Sequence, residues 1–173
     1  MQRVWSHASI SRQRKLDVYN ACVVCKLTYN LHSVWLTQPE IQKLNAFHMR
    51  CLRRILKIAP SFYSRISNQT VLTQARSRRI SSVLLERQLK FFGTLARRRD
   101  DDVMKQSVLD VTASVLKPKT ATGIKRCGRH KISWPKGVYH AAASVASETG
   151  RTLSSMLLNK IAWEQAVHKH CRD

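Results

Sequence analysis

At 173 residues, with 31 Lys or Arg against 10 Asp or Glu, the chain carries a formal net charge of +21 when its His are neutral. Its 43% apolar residues suffice for a packed core, because a domain of this length buries roughly 70% of the surface its unfolded chain exposes. Wholesale disorder is thereby excluded, and no apolar run approaches the ~18 residues a membrane span needs. The first residues lack the apolar run of a secretory signal, and an odd count of five Cys fits reduced thiols. The expectation is a nuclear or cytoplasmic chain that is not secreted. A charge excess of this size repels itself unless a polyanion neutralises it. Nucleic acid leads, with an acidic membrane surface and a purely structural basic role as rivals. The field is concentrated in residues 1–99, which hold 19 Lys or Arg against 3 Asp or Glu, while residues 100–173 hold 12 against 7.

From Ser11 to about Trp35, Leu16, Tyr19, Val23, Leu27, Leu31 and Val34 recur at three- and four-residue steps without Gly or Pro. This spacing predicts one long amphipathic helix. Thr37, Pro39 and Glu40 form a capping-box pattern that opens a second helix to about Lys57. Its buried stripe is Ile41, Leu44, Phe47, Cys51, Leu52 and Ile55, and Arg50, Arg53, Arg54 and Lys57 form a basic side. Ser67 or Asn68 caps a short helix to about Ala75, and a longer helix carries Ile80, Val83, Leu84, Phe91, Leu95 and Ala96 on its apolar side. Asp100 to Asp102 favour a further helix start. Between Ser114 and Ser133, lysines, arginines and glycines with little to bury predict a basic irregular linker. Two more helices follow, one from Ser133 to Gly150 and one from about Asn159 to His170. The fold class is therefore all-α: an antiparallel helix pair (residues 1–58), a helical region (59–112), the linker (113–132) and C-terminal helices (133–173).

Adjacent carboxylates such as Asp100, Asp101 and Asp102 bind Mg²⁺ in polymerases. Here they follow Arg97, Arg98 and Arg99 with few other acidic groups nearby, so a helix start that offsets arginines is the better reading. Cys22 and Cys25 have redox or zinc half-site spacing, but their place in an apolar helix favours buried small side chains. Cys127 with His130, and His168 with Cys171, stand at metal-ligand spacing, yet the first pair falls in the linker. No catalytic residue, metal ligand or cofactor is assigned. Tyr29, Trp35, Phe62 and Tyr63 could stack on bases, and only Phe62 and Tyr63 sit in an expected loop.

Several segments taken in order resemble the C-terminal part of reverse transcriptases from non-LTR (LINE-type) retrotransposons, over about residues 5 to 167. Lys15, Val18, Tyr19, Leu27, Tyr29 and Trp35 are similar to that family's Lys-x-x-x-Tyr helix and its closing tryptophan. Phe47, Arg50, Cys51, Leu52, Arg53, Arg54, Ile55 and Leu56 resemble its Phe-x-x-Arg-Cys-Leu-Arg-Arg-Ile-Leu run, the most specific piece. Arg65, Asn68 and Val71 follow, then Arg87, Leu89, Phe92, Gly93 and Arg97, then Arg126, Gly128, Arg129 and Trp134, and last Trp163. Thr94, His130, Asn159 and Lys160 depart from the family pattern, and the aromatic-x-Asp-Asp polymerase motif is missing from the sequence. The resemblance implies a thumb that packs on a template-primer, followed by a region that assists nucleic-acid binding.

The reading from residues and the resemblance converge on a non-catalytic nucleic-acid-binding fragment of an RNA-directed DNA polymerase. Its expected partner is the backbone of RNA, DNA or an RNA–DNA hybrid, with no membrane and no small-molecule substrate. The expected contact residues are Arg50, Arg53, Arg54, Lys57, Arg97, Arg98, Arg126 and Arg129. The alternatives are a stand-alone basic helical RNA- or DNA-binding protein and a structural protein docked on an acidic partner.

Overall fold

The computed structural model describes residues 9–111, 116–119 and 133–172. Helices dominate, as the periodicity predicts, and the described residues hold one isolated antiparallel β-bridge, Leu109 with Pro118, and no strand. The chain divides into two compact units. The first comprises Met1–Leu31 with Leu36–Leu84, and the second His32–Trp35 with Leu85–Asp173.

In the first unit, α1 (Arg12–Tyr19) is capped by Ser11, whose hydroxyl accepts from the Arg14 N–H at 3.3 Å. It runs through a π-helical segment, Asn20–Val24, into α2 (Cys25–Thr28). The helix ends there rather than at Trp35. Tyr29 is extended and Asn30 takes a φ of 59°, a left-handed conformation that Asn tolerates better than most residues. Only a 3₁₀ turn, Leu31–Ser33, follows. Helix α3 (Gln38–Leu56) opens on the expected box, the Glu40 carboxylate accepting from both the N–H and the hydroxyl of Thr37 at 2.7 Å. It closes in a Schellman arrangement: Ile58 N–H reaches the Arg53 carbonyl at 2.9 Å, and Lys57 stands at φ 58°. Helices α4 (Ser61–Ser64) and α5 (Asn68–Ala75) complete the run.

Leu16 and Tyr19 of α1 join Met49, Leu52, Ile55 and Leu56 of α3 and Val71, Leu72 and Ala75 of α5 in one core cluster. The α1 and α3 stripes therefore meet, but α5 closes the cluster as a third side. Phe47 departs from its expected place in the stripe at 38% exposed, and Val34 is likewise exposed. The core draws on His48 and Met49 instead.

Inside this core the Tyr19 hydroxyl lies 2.8 Å from His48 Nδ1, and His48 Nε2 lies 3.2 Å from the Arg78 carbonyl. A carbonyl only accepts, so Nε2 carries the proton and Nδ1 accepts from Tyr19. Burial holds the imidazole below its ordinary value, against the opposing pull of the Arg78 carbonyl. A depressed histidine destabilises on acidification, because the unfolded chain binds a proton that the folded chain refuses. Unfolding free energy should thus be flat in this respect above the unfolded value of about 6.5. It should fall as the pH drops below it, until folded His48 itself titrates. Urea midpoints measured against pH for the wild type and His48→Gln check this: the difference between the two curves should slope below about pH 6.5. Parallel curves would show that His48 does not titrate on unfolding.

The second unit is built from the later part of α6 (Ile80–Ala96), α7 (Val103–Val108), α8 (Trp134–Glu148), α9 (Leu153–Leu158) and α10 (Lys160–His170). Asp102 caps α7 and Asn159 caps α10, each accepting from two backbone N–H groups. Leu89, Phe92, Leu95, Val138, Ala142, Val145, Met156, Leu157, Trp163 and Val167 form its core. Tryptophans lock the pieces together. Trp163 lies on Gly93 and donates its indole N–H to the Leu89 carbonyl at 3.1 Å. Trp134 donates to the His32 carbonyl at 2.7 Å, and Trp35 lies against Gly137.

The units regroup the expected segments. Residues 59–84 group with the first unit, where Ile66, Val71, Leu72 and Ala75 pack on the α1 and α3 stripes. Within the expected linker, residues 116–119 pair with the segment before it. Asp110 N–H donates to the Lys117 carbonyl at 2.9 Å, and Lys119 N–H donates to the Val108 carbonyl at 2.8 Å, which makes residues 116–119 an ordered pairing segment. The rest of the expected linker, with Arg126, Cys127, Arg129 and His130, lies outside the described residues.

Candidate nucleic-acid interface

Arg50 and Arg54 stand four residues apart on α3, so helical geometry puts them on one side, and Lys57 follows as the left-handed residue that ends the helix. All three are exposed. Among the described residues no carboxylate pairs with them, and the sequence has no Asp or Glu between Glu40 and Glu86. Arg50 and Arg54 both act on the intervening Cys51. Burial pushes that thiol up, Tyr19 opposes through a hydrogen bond, and the two guanidinium charges pull it down as well.

Arg53 is the correction to this face, since it is 6% exposed. Its guanidinium donates to the Ala59 carbonyl at 3.0 Å, the Ser64 hydroxyl at 3.3 Å, the Ile66 carbonyl at 2.6 Å and the Asn68 Oδ1 at 3.0 Å. The five N–H groups of arginine fan out in one plane, which suits a single side chain to several convergent acceptors. Arg53 thus holds the 59–68 segment in place and is not offered to a phosphate. A three- and four-residue spacing includes Arg53 and Arg54 alike and carries no signal to separate them.

Two further cations that the sequence left unassigned join the exposed set. Arg65 and Arg76, like Lys57, end helices with positive φ, at 53° and 48°. Each of α3, α4 and α5 therefore closes on an exposed cation in the left-handed conformation. A positive charge there complements the partial negative charge of a helix C-terminus, and it points the same chemistry outward three times within about 20 residues.

In the second unit, Arg97 is half-buried and donates to the Leu157 carbonyl at 3.2 Å, tying α6 to α9. Arg98 is ion-paired with Asp102 at 3.1 Å. The aspartate triplet is occupied in the same way, Asp101 by Arg99 at 2.9 Å and Asp100 by Lys105 at 2.7 Å. Burial would raise the Asp102 carboxyl, but the Lys105 N–H, Arg98 and the Met104 N–H together hold it below the usual carboxylate range. These contacts make the triplet a helix start braced by cations. They also leave Arg97 and Arg98 with fewer groups to offer a ligand than Arg50, Arg54 and Lys57.

Cys22 and Cys25 are exposed, contrary to the expectation of burial, because the helix turns its Leu16 and Tyr19 face inward and leaves these positions outside. His168 lies 3.3 Å from the Glu86 carboxylate, and Cys171 is buried. No group of three or more potential metal ligands occurs among the described residues. Tyr29 is exposed, and so are Phe62 at 85% and Tyr63 at 77%, their rings edge to face at 5.2 Å on α4. No described helix is long and apolar enough to cross a membrane. Compared with protein-family models, curated proteins and solved structures, the chain matches none.

Proposed function

We propose that this chain is a nucleic-acid-binding, non-catalytic piece of a LINE-type reverse transcriptase, its first unit serving as a thumb-like element. The observation that carries the binding part is the exposed, carboxylate-free set of Arg50 and Arg54 on α3 and Lys57 at its C-terminal end. Like charges at this spacing repel one another, and a phosphate backbone relieves that repulsion while releasing its own counterions. Contacts of this kind read charge and not base identity, so the binding is sequence-tolerant. The assignment to a reverse transcriptase rests on the resemblance of residues 47–56 and the ordered segments around them. The missing aromatic-x-Asp-Asp motif and the cation-braced aspartates support a role in holding a primer-template without performing chemistry.

Binding of an RNA–DNA hybrid measured across a salt series tests the proposal. Arg50→Ala combined with Arg54→Ala should weaken affinity alike for unrelated sequences. It should also flatten the log–log salt slope by roughly 0.7–0.9 for each phosphate that the removed guanidinium groups had neutralised. Unchanged affinity and slope in a folded double variant would remove α3 from the interface. Absence of salt-dependent binding in the wild type would dispose of the nucleic-acid reading altogether.

A further inference from the structure

Among the described residues of the first unit Phe62 and Tyr63 are the most exposed aromatics, two adjacent side chains turned to solvent on a helix of a single turn. Such a helix has almost no stability of its own, and the fold supplies it from outside. Pro60 sets the entry with an extended ψ of 150°, and its carbonyl accepts from the Tyr63 and Ser64 N–H groups at 3.0 Å. The Ser64 hydroxyl bonds back to the Ala59 carbonyl at 3.0 Å, and Arg65 closes the turn in the left-handed conformation. Beneath it, Arg53 reaches Ala59 and Ser64 with one nitrogen and Ile66 and Asn68 with the other. A buried arginine is thereby committed to fixing the position of two exposed rings, whereas an unbraced loop would let them collapse onto the surface.

In the sequence around the rings the charge is of one sign. Arg54 and Lys57 precede them, Arg65 and Arg76 follow, all are exposed, and no acidic residue occurs between Glu40 and Glu86. Exposed aromatic rings in a stretch of chain that carries exposed cations and no carboxylate match a ligand that is both polyanionic and flat-faced. We infer that Phe62 and Tyr63 form a preorganised stacking platform for unpaired bases of a single-stranded nucleic acid, with the flanking Arg and Lys holding its phosphates. Paired bases in a duplex are already stacked and present mainly phosphate and sugar, so the platform distinguishes a single strand or an overhang from a continuous duplex. This inference rests on the nucleic-acid reading above and goes further by naming the form of nucleic acid and the residues that select it.

Two fluorescently labelled oligonucleotides decide the matter, an oligo(dT) single strand and a blunt duplex of equal length, bound to the full chain and followed by anisotropy across salt. Phe62→Ala with Tyr63→Ala should weaken the single strand about tenfold or more, the scale of one base–aromatic stack. Duplex binding and the salt slope for both ligands should stay the same, because no cation is removed. Since both side chains are exposed, the variant should keep its thermal midpoint. Phe62→Leu with Tyr63→Leu retains apolar area without a π face and should not restore affinity, whereas Phe62→Trp should retain it, with indole emission quenched on binding. If the alanine variant binds the single strand like the wild type, or is weakened equally for single strand and duplex, the platform is overturned. The nucleic-acid reading would still stand on the α3 arginines. If the wild type binds neither ligand in a salt-dependent way, that broader reading fails and the platform with it.

Discussion

Replacing Arg53 with Met is expected to lower the stability of the first unit by about 3 kcal/mol or more, although the substitution keeps an unbranched apolar stem of similar length. The guanidinium makes four hydrogen bonds within the 59–68 segment, and each charge-assisted bond contributes about 1.5–3 kcal/mol. The sum is not recovered in full, because Ser64 is only half-buried and its hydroxyl already bonds elsewhere. Ala59 and Asn68 are exposed and can turn to water, so the half-buried Ile66 carbonyl bears most of the deficit. Arg53→Lys should restore less than half, since one ammonium cannot span acceptors that arginine engages through two separate nitrogens. Urea denaturation followed by circular dichroism gives the difference. A change below about 0.5 kcal/mol, ordinary for a surface position, would mean that Arg53 faces solvent and belongs with Arg50 and Arg54 after all.

In the second unit the largest effect is expected at Trp163. Trp163→Ala should cost about 3–5 kcal/mol, the usual range for deleting a buried aromatic side chain. The indole is fully buried and its N–H is bonded to the Leu89 carbonyl. Its partner is Gly93, where a Cβ would run into the indole Nε1 and Cδ1. Gly93→Ala should therefore destabilise the wild type, even though Ala is favoured over Gly within a helix by about 1 kcal/mol. In the Trp163→Ala background the same substitution should be neutral or stabilising, because the space is vacated and only helix propensity remains. That change of sign is a coupling between two positions 70 residues apart in sequence, and a double-mutant cycle measures it directly. Additive effects would show that the indole does not rest on Gly93.

What was legible in the chain was whatever is encoded locally. The helices α3 and α6 follow from apolar spacing, and the starts of α3 and α5 follow from Thr37 with Glu40 and from Ser67, because these caps are satisfied within four residues of themselves. The charge asymmetry was likewise complete in the composition. The end of the first helix was not legible: nothing in the stripe from Leu16 to Val34 announces that Asn30 turns left-handed and sends His32–Trp35 to pack against Phe91, Gly137 and Trp134. The exposure of Cys22 and Cys25 has the same origin, since a stripe with apolar residues on several sides does not say which side finds a neighbour.

The candidate site shows the division most clearly. Arg50, Arg53, Arg54 and Lys57 are equivalent by charge and fall within about two turns at the end of α3. What separates them is that the 59–68 segment folds back over Arg53 and presents four acceptors to it. Spacing along a helix specifies a direction outward from its axis, and only the packing of a distant segment determines whether that direction ends in water, in a carbonyl or in another side chain. For the same reason Phe62 and Tyr63 read as ambiguous apolar residues in the sequence. Only the tertiary structure, by bracing their short helix from below, leaves both rings facing outward.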